Sequence, residues 1–159
     1  PLAHLDPMGS VMILFVGFGW AKPVPVNPIN FLNPRIDMMK VAFAGPASNL
    51  ILAFTSGTIL RLTGFLDNNV LIIILKYFTW INIALAVFNM IPVAPLDGSQ
   101  IFGNMISKSY PDFALKLQIY GPKVLMILIL ISFISPQFSI FRLIMNPFIK
   151  FFMYLFAGL

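Results

Sequence analysis

The chain has 159 residues, of which 59% are hydrophobic and 9% are charged, and it contains neither Glu nor Cys. Soluble domains carry about 25% charged residues, so this composition excludes an ordinary soluble domain and indicates an integral membrane protein. The net charge of +5 comes from ten Lys and Arg spread along the chain, which suits the flanks of membrane helices and argues against a nucleic-acid partner.

The N-terminal part of the chain has no long apolar run. Its apolar residues 10–21 number only about 12, whereas a helix needs about 20 to cross the hydrocarbon core, which predicts a re-entrant or tilted segment. The chain starts at Pro1 without the basic region and small-residue cleavage site of a signal peptide. We therefore expect further residues before Pro1 in the complete protein.

A proline-rich stretch, KPVPVNPINFLNPRID, occupies residues 22–37. Prolines exclude helix interior and bias the residues before them toward extended conformations, so Pro23, Val24, Pro25 and Val26 are predicted to be extended. One interpretation is a cytoplasmic connector. The other is an edge that pairs with an extended segment of another chain by strand addition, which makes these four residues candidate substrate-binding residues.

Three apolar runs are long enough to cross a membrane: Met39–Leu62, Val70–Val93 and Leu117–Ser135. A fourth run, Phe138–Leu159, is long enough but carries an arginine, a lysine and a proline, so whether it crosses stays open. The predicted fold is an all-α polytopic transmembrane helix bundle with re-entrant and extended membrane-associated segments.

Basic residues flank two of the polar connections, at residues 22–37 and 95–112. They are Lys22, Arg35, Lys40, Lys108 and Lys116. By the positive-inside rule, both connections are predicted to be cytoplasmic, and the connection at residues 63–69 lies on the other side.

The second long run ends in NMIPVAPLDG at residues 89–98. Pro92 and Pro95 remove amide donors and obstruct helical bonding, and Gly98 allows a turn that other residues resist, so the helix must end here. Asp97 has two interpretations. It caps the next helix, as Asp often does, or it binds a metal ion as the carboxylate ligand that accompanies two histidines in catalytic zinc sites.

A second motif, AGPASN, occupies residues 44–49. Small residues such as Gly45 permit close helix approach, and the Asn49 side chain can hydrogen-bond across helices in lipid, so helix packing is the favoured role. The alternative is an amide donor aimed at a substrate carbonyl oxygen.

The order of PLAHLDPMGS, GFGWAKPVPVNPINF, AGPASNLILA and NMIPVAPLDG resembles the site-2 protease family of intramembrane zinc metalloproteases. The resemblance covers residues 1–103 in order and spacing. It implies that Asp97 is the third ligand of a Zn²⁺ ion, and that Asn49 and Asn89 lie near the site as polar helpers.

The resemblance also implies that a His-Glu-x-x-His helix precedes Pro1. Its two histidines would bind zinc, and its Glu would be the general base for the metal-bound water. This chain has one histidine, His4, and no Glu, so it is expected to be inactive alone. A lone histidine is more often a hydrogen-bonded structural residue than a ligand, and we interpret His4 in that way.

The sequence thus predicts one membrane-embedded peptidase domain over residues 1–159. Residues 1–38 form its re-entrant and proline-rich part, residues 39–103 its core helices with both motifs, and residues 104–159 its C-terminal helices. The expected protein cleaves membrane-protein substrates in the bilayer, as a multi-pass protein of a prokaryotic inner membrane. Two alternatives remain: a catalytically dead relative that binds membrane proteins, and a transporter with broken helices.

Overall fold

The computed structural model describes residues 31–63, 69–134 and 140–159, and these residues are helical with no strand among them. The helices in chain order are α1 (Pro34–Thr63), α2 (Asn69–Asn89), α3 (Asp97–Ile106), α4 (Pro111–Ile134) and α5 (Ile140–Ala157). The all-α prediction is confirmed. Residues 1–30 lie outside the described part, and with them His4, the predicted re-entrant segment and Pro23, Val24, Pro25 and Val26.

The chain divides into two compact units, Pro1–Pro34 and Arg35–Leu159, and the description below concerns the second. Three of its helical segments are long and apolar enough to cross a membrane: Pro34–Thr63, Val70–Asn89 and Pro111–Ser132. These match the three predicted runs. Less than a third of each is buried inside the protein, so most of their apolar surface faces outward, as lipid contact requires.

The ends of these helices differ from the predicted ends. Helix α1 begins at Pro34 instead of Met39, and α4 begins at Pro111 instead of Leu117. Both start at a proline, because the first helical position needs no amide donor and its φ suits the proline ring. Helix α2 ends at Asn89 and not at Val93, because Pro92 cannot donate and clashes with the preceding turn.

Sequence analysis treated residues 95–112 as a polar connection without a helix. The structure corrects this prediction, because residues 97–106 form the ten-residue helix α3. One side of α3 is buried through Gly98, Ser99, Ile101 and Gly103. Phe102 and Met105 of the same helix are exposed, so the short helix packs by one face. Helix α5 continues through Pro147 and is not among the candidate spans.

The core of the bundle joins α1, α2 and α5. Its buried residues are Ala53, Ile83, Ile149 and Met153. A hydrogen bond of 2.8 Å connects the hydroxyls of Ser56 on α1 and Thr79 on α2, and both side chains are buried. This polar link fixes the two candidate spans together where no water competes.

Candidate metal and substrate site

The turn between α2 and α3 decides where Asp97 lies. After Met90, whose amide still bonds the Ala86 carbonyl at 3.1 Å, the helical pattern gives way to short-range bonds. The Val93 amide donates to the Ile91 carbonyl at 2.8 Å, and the Leu96 amide donates to the Val93 carbonyl at 3.0 Å. The two prolines therefore produce a compact turn that delivers Asp97 to the first position of α3.

Asp97 does not cap α3. The N-cap residue is Leu96, and no side chain makes a capping hydrogen bond there. The capping interpretation of Asp97 is therefore wrong for this structure, and the carboxylate instead lies in the first turn of α3, where the helix dipole favours a negative charge.

The Asp97 carboxyl is half-buried, and this burial raises its pKa above the ordinary value because desolvation disfavours the charged form. A cation held beside the carboxylate would favour the charged form again and lower that pKa.

Gly98 lets the end of α2 approach the start of α3. A Cβ atom at this position would lie 2.5 Å from both the Ile91 carbonyl oxygen and the Met90 carbonyl carbon. Those are backbone atoms, which cannot rotate away, so any side chain at residue 98 would displace the turn. The requirement for glycine beside Asp97 is steric.

Gly45 brings the AGPASN motif to Asp97. A Cβ atom on Gly45 would lie 3.0 Å from Oδ2 of Asp97, which is closer than ordinary van der Waals contact. The two motifs that sequence analysis singled out separately therefore meet in the fold. The absence of a side chain at Gly45 leaves room for the Asp97 carboxylate beside α1.

Asn49 and Asn89 occupy two different helices near this contact. Asn49 follows Gly45 by four residues, about 6 Å along the same face of α1, and Asn89 is the last residue of α2. Both are half-buried, and no described residue hydrogen-bonds either side-chain amide. Neither role proposed for Asn49 is tested by this placement.

Arg35 is a residue of this region that sequence analysis treated only as a membrane-flanking charge. Its Nε donates to the Asn104 carbonyl and its Nη2 donates to the Met105 carbonyl at 3.0 Å. Both carbonyls belong to the last turn of α3, where helical partners are missing and a cation is favoured. One indication of this role was present in the sequence: Arg35 directly follows Pro34, the proline at which α1 starts.

Helix α1 therefore holds α3 at both ends. Arg35 binds the C-terminal turn of α3, and Gly45 lies against Asp97 at its N-terminus. Residues 35 and 45 lie about 15 Å apart along α1, which is close to the length of the ten-residue helix α3. The position of Asp97 is set by α1 as well as by the turn before it.

A second contact anchors the turn from its other side. A Cβ atom on Gly121 of α4 would lie 2.8 Å from the Ala94 side chain, so glycine is needed for this approach. Gly121-Pro122 repeats the Gly-Pro pair of residues 45 and 46, and this repetition was the signal in the sequence that analysis left unused.

An apolar cavity of about 450 Å³ lies against the same elements. Its wall includes Pro46 of α1, Met90 and Ile91 at the end of α2, and Phe102 of α3, with aromatic residues of α5 opposite. Pro46 follows Gly45 in α1, and Met90 and Ile91 are the residues against which Gly98 packs. A large apolar group could be held in this cavity.

The described residues do not make up a zinc site by themselves. No group of three His, Cys, Asp or Glu side chains occurs in the part of the chain that the structure describes. Catalytic zinc needs three protein ligands, and Asp97 offers one carboxylate of the appropriate chemistry. A zinc site that included Asp97 would need further ligands from outside the described residues.

The sequence model of Peptidase family M50 matches residues 59–132. A Bacillus subtilis (strain 168) protein named "Putative zinc metalloprotease YwhC" is 37% identical over 143 residues, which make up 86% of this chain and 64% of that protein. A Mycobacterium tuberculosis (strain H37Rv) protein named "Putative zinc metalloprotease Rip3" is 36% identical over 74 residues, 46% of this chain and 19% of its own.

The chain thus spans slightly less than two thirds of the Bacillus relative and a fifth of the mycobacterial one. No solved structure matches the chain significantly. The family match covers the end of α1, all of α2 and α3 and most of α4, so it includes Asp97 but not Gly45. The Bacillus relative extends the similarity over most of the chain. Over most of its length, the chain is therefore similar to proteins named as zinc metalloproteases, and residues 59–132 match peptidase family M50.

Proposed function

We propose that the complete protein is a zinc endopeptidase that hydrolyses peptide bonds in or near transmembrane segments of other proteins. The observation that supports this most directly is the carboxylate of Asp97, which is half-buried, free of a capping role and placed against Gly45 of α1. The two relatives of this chain reported above are named as putative zinc metalloproteases, which agrees with this proposal.

Asp97 would be the metal ligand that this chain contributes. When bound, zinc supplies a water of lowered pKa and polarises the substrate carbonyl. The two histidine ligands and the general-base Glu would belong to a helix before Pro1, so residues 1–159 alone are expected to be inactive. Asn49 and Asn89 would donate amide hydrogens to the substrate or its transition state.

A helical substrate hides its carbonyl groups in its own hydrogen bonds and must unwind before it is attacked. Pro23, Val24, Pro25 and Val26 would pair with the unwound stretch through their backbone, as an added strand does. The apolar cavity beside Pro46 and Phe102 would accept a large apolar side chain of the substrate. Together these features favour apolar membrane segments as substrates.

The same proposal includes the domain organisation and the location. Residues 1–159 would form one peptidase domain, with residues 1–38 as its re-entrant and proline-rich part, residues 39–103 as its core helices and residues 104–159 as its C-terminal helices. The protein would be multi-pass in a prokaryotic inner membrane, with Asp97 near the cytoplasmic side. In this cysteine-free chain, single cysteines at Asn30 and Ser109 should resist an impermeant thiol reagent applied to intact cells, and one at Asn68 should react.

The decisive test is Asp97→Asn in the full-length protein with a model transmembrane substrate. The variant should fold normally, bind zinc more weakly and cleave at least about 100-fold more slowly, because asparagine lacks the anionic oxygen. Asp112→Asn, which changes an exposed carboxylate at the start of α4, is the matched control and should keep its activity. An Asp97→Asn protein with normal zinc content and normal cleavage would refute the assignment.

A further inference from the structure

The crevice between α2 and α5 holds two positive charges far from Asp97. Arg61 in the last turn of α1 and Lys76 of α2 line one pocket of about 320 Å³, together with residues 157–159 at the end of α5. Arg61 follows Gly45 by sixteen residues, about 24 Å along α1. The pocket is therefore separate from the candidate zinc site.

These two charges are not neutralised within the described chain. No described carboxylate forms an ion pair with Arg61 or Lys76. Both residues belong to candidate membrane spans, where an unpaired cation is costly and is usually matched by an anion or reaches the interface. Arg61 Nε lies 3.7 Å from the position of a Cβ on Gly158, so the guanidinium rests against the end of α5.

An apolar groove continues from this pocket. A second cavity of about 430 Å³ shares Lys76 with the first and is lined further by Ile73, Tyr77, Trp80 and Met153. The spacing of residues 73, 76, 77 and 80 places them on one face of α2, and Met153 comes from α5. The crevice thus has a cationic mouth at one end and an apolar floor along the helices.

We propose that this crevice binds one anionic phospholipid. Its phosphate contacts Arg61 and Lys76, and the first part of an acyl chain lies along Tyr77, Trp80 and Met153. Arg61 and Lys76 are both positively charged. They therefore favour a lipid headgroup of net negative charge over a zwitterionic headgroup, whose own cation they would repel. Free phosphate would use the mouth and leave the groove unused. This site does not depend on the proposed protease activity.

The groove contains a natural reporter in Trp80. In a full-length protein whose other tryptophans, Trp20 included, are replaced by Phe, brominated lipids in mixed vesicles should quench Trp80 fluorescence on contact. Brominated phosphatidylglycerol should occupy the site about tenfold more favourably than brominated phosphatidylcholine, since each surface cation contributes to anionic-lipid binding. Inorganic phosphate at millimolar concentration should not displace it.

The paired variant Arg61→Gln/Lys76→Gln should abolish the preference for phosphatidylglycerol while leaving quenching by phosphatidylcholine unchanged, which shows that the helices remain assembled. Lys116→Gln/Lys123→Gln removes the same charge from α4 and should keep the preference. Equal quenching by the two lipids in the parent protein would overturn the proposal. Displacement by inorganic phosphate alone would also overturn it, because the ligand would then be a free anion.

Discussion

Two glycines of α1, Gly45 and Gly57, have different neighbours, so the absence of a side chain has a different consequence at each. Gly57 is buried, and a Cβ there would lie 2.8 Å from the Phe156 Cβ of α5 and 3.2 Å from its backbone carbon. Gly45 is exposed, and a Cβ there would meet the Asp97 carboxylate at 3.0 Å. The first glycine permits a close packing of helices, and the second makes room for a titratable group.

If Asp97 is the metal ligand that we propose, stability and chemistry are separated along α1 by twelve residues, or about 18 Å. At Gly57 the neighbouring atoms are the Cβ and backbone atoms of Phe156, so an added methyl group could be accommodated only if α5 moved as a whole. At Gly45 the neighbour is the end of a side chain that can rotate. We therefore expect a substitution at Gly57 to change the free energy of unfolding, and a substitution at Gly45 to change zinc affinity and cleavage.

The largest effect is expected from Gly57→Ala. The added methyl group would overlap the backbone of α5, and such overpacking costs about 1–3 kcal/mol of unfolding free energy. Unfolding of the purified protein in mixed micelles measures this loss. Zinc content and cleavage by the molecules that remain folded should be unchanged; a stable variant with impaired cleavage would contradict the separation.

Gly45→Ala is expected to give the opposite pattern. The methyl group would push Asp97 Oδ2 by a few tenths of an ångström, and small misplacements of reacting groups lower rates by roughly tenfold. Cleavage and zinc affinity should fall while the unfolding free energy stays close to that of the parent protein. If Gly45→Ala instead lost stability and kept its zinc affinity, Gly45 would be a packing residue like Gly57.

Arg35→Gln tests whether α1 positions Asp97 through the far end of α3. Loss of the bonds to the Asn104 and Met105 carbonyls should weaken zinc binding several-fold, with a stability loss of about 1 kcal/mol. Arg35→Lys keeps the charge without the fork and should be intermediate. Lys40→Gln, which removes an exposed cation paired with Asp37, is the control and should bind zinc normally.

The smallest effect concerns the hydroxyl pair of Ser56 and Thr79. Hydrogen bonds between membrane helices are worth about 0.6 kcal/mol on average, because the unfolded helices find other partners in the bilayer. A double-mutant cycle with Ser56→Ala and Thr79→Val should give a coupling energy of this size and no change in cleavage. A coupling several times larger would place the main stability of the α1–α2 pair in this bond instead of in the packing near Gly57.

The sequence by itself indicated a helical membrane protein, its three candidate spans and its resemblance to the site-2 protease family. Apolar runs of about 20 residues can be stably exposed only to lipid, and Pro92 with Pro95 must end a helix wherever it is placed. The LDG and AGP motifs were recognisable as special positions for the same local reasons. Local chemistry could not supply the starting point of each helix, because a proline ends some helices and begins others. Pro34 and Pro111 begin theirs.

Only the tertiary structure decided where Asp97 lies and which residues surround it. A cap or a ligand is equally compatible with the letters PLDG, and the structure excludes the cap, because Leu96 is the N-cap and Asp97 lies against Gly45. The ligand role remains our proposal. The bonds of Arg35 to α3 and the crevice of Arg61 and Lys76 also join residues far apart in the chain. Such contacts depend on how helices pack, and packing depends on many side chains at once, which no single stretch of sequence specifies.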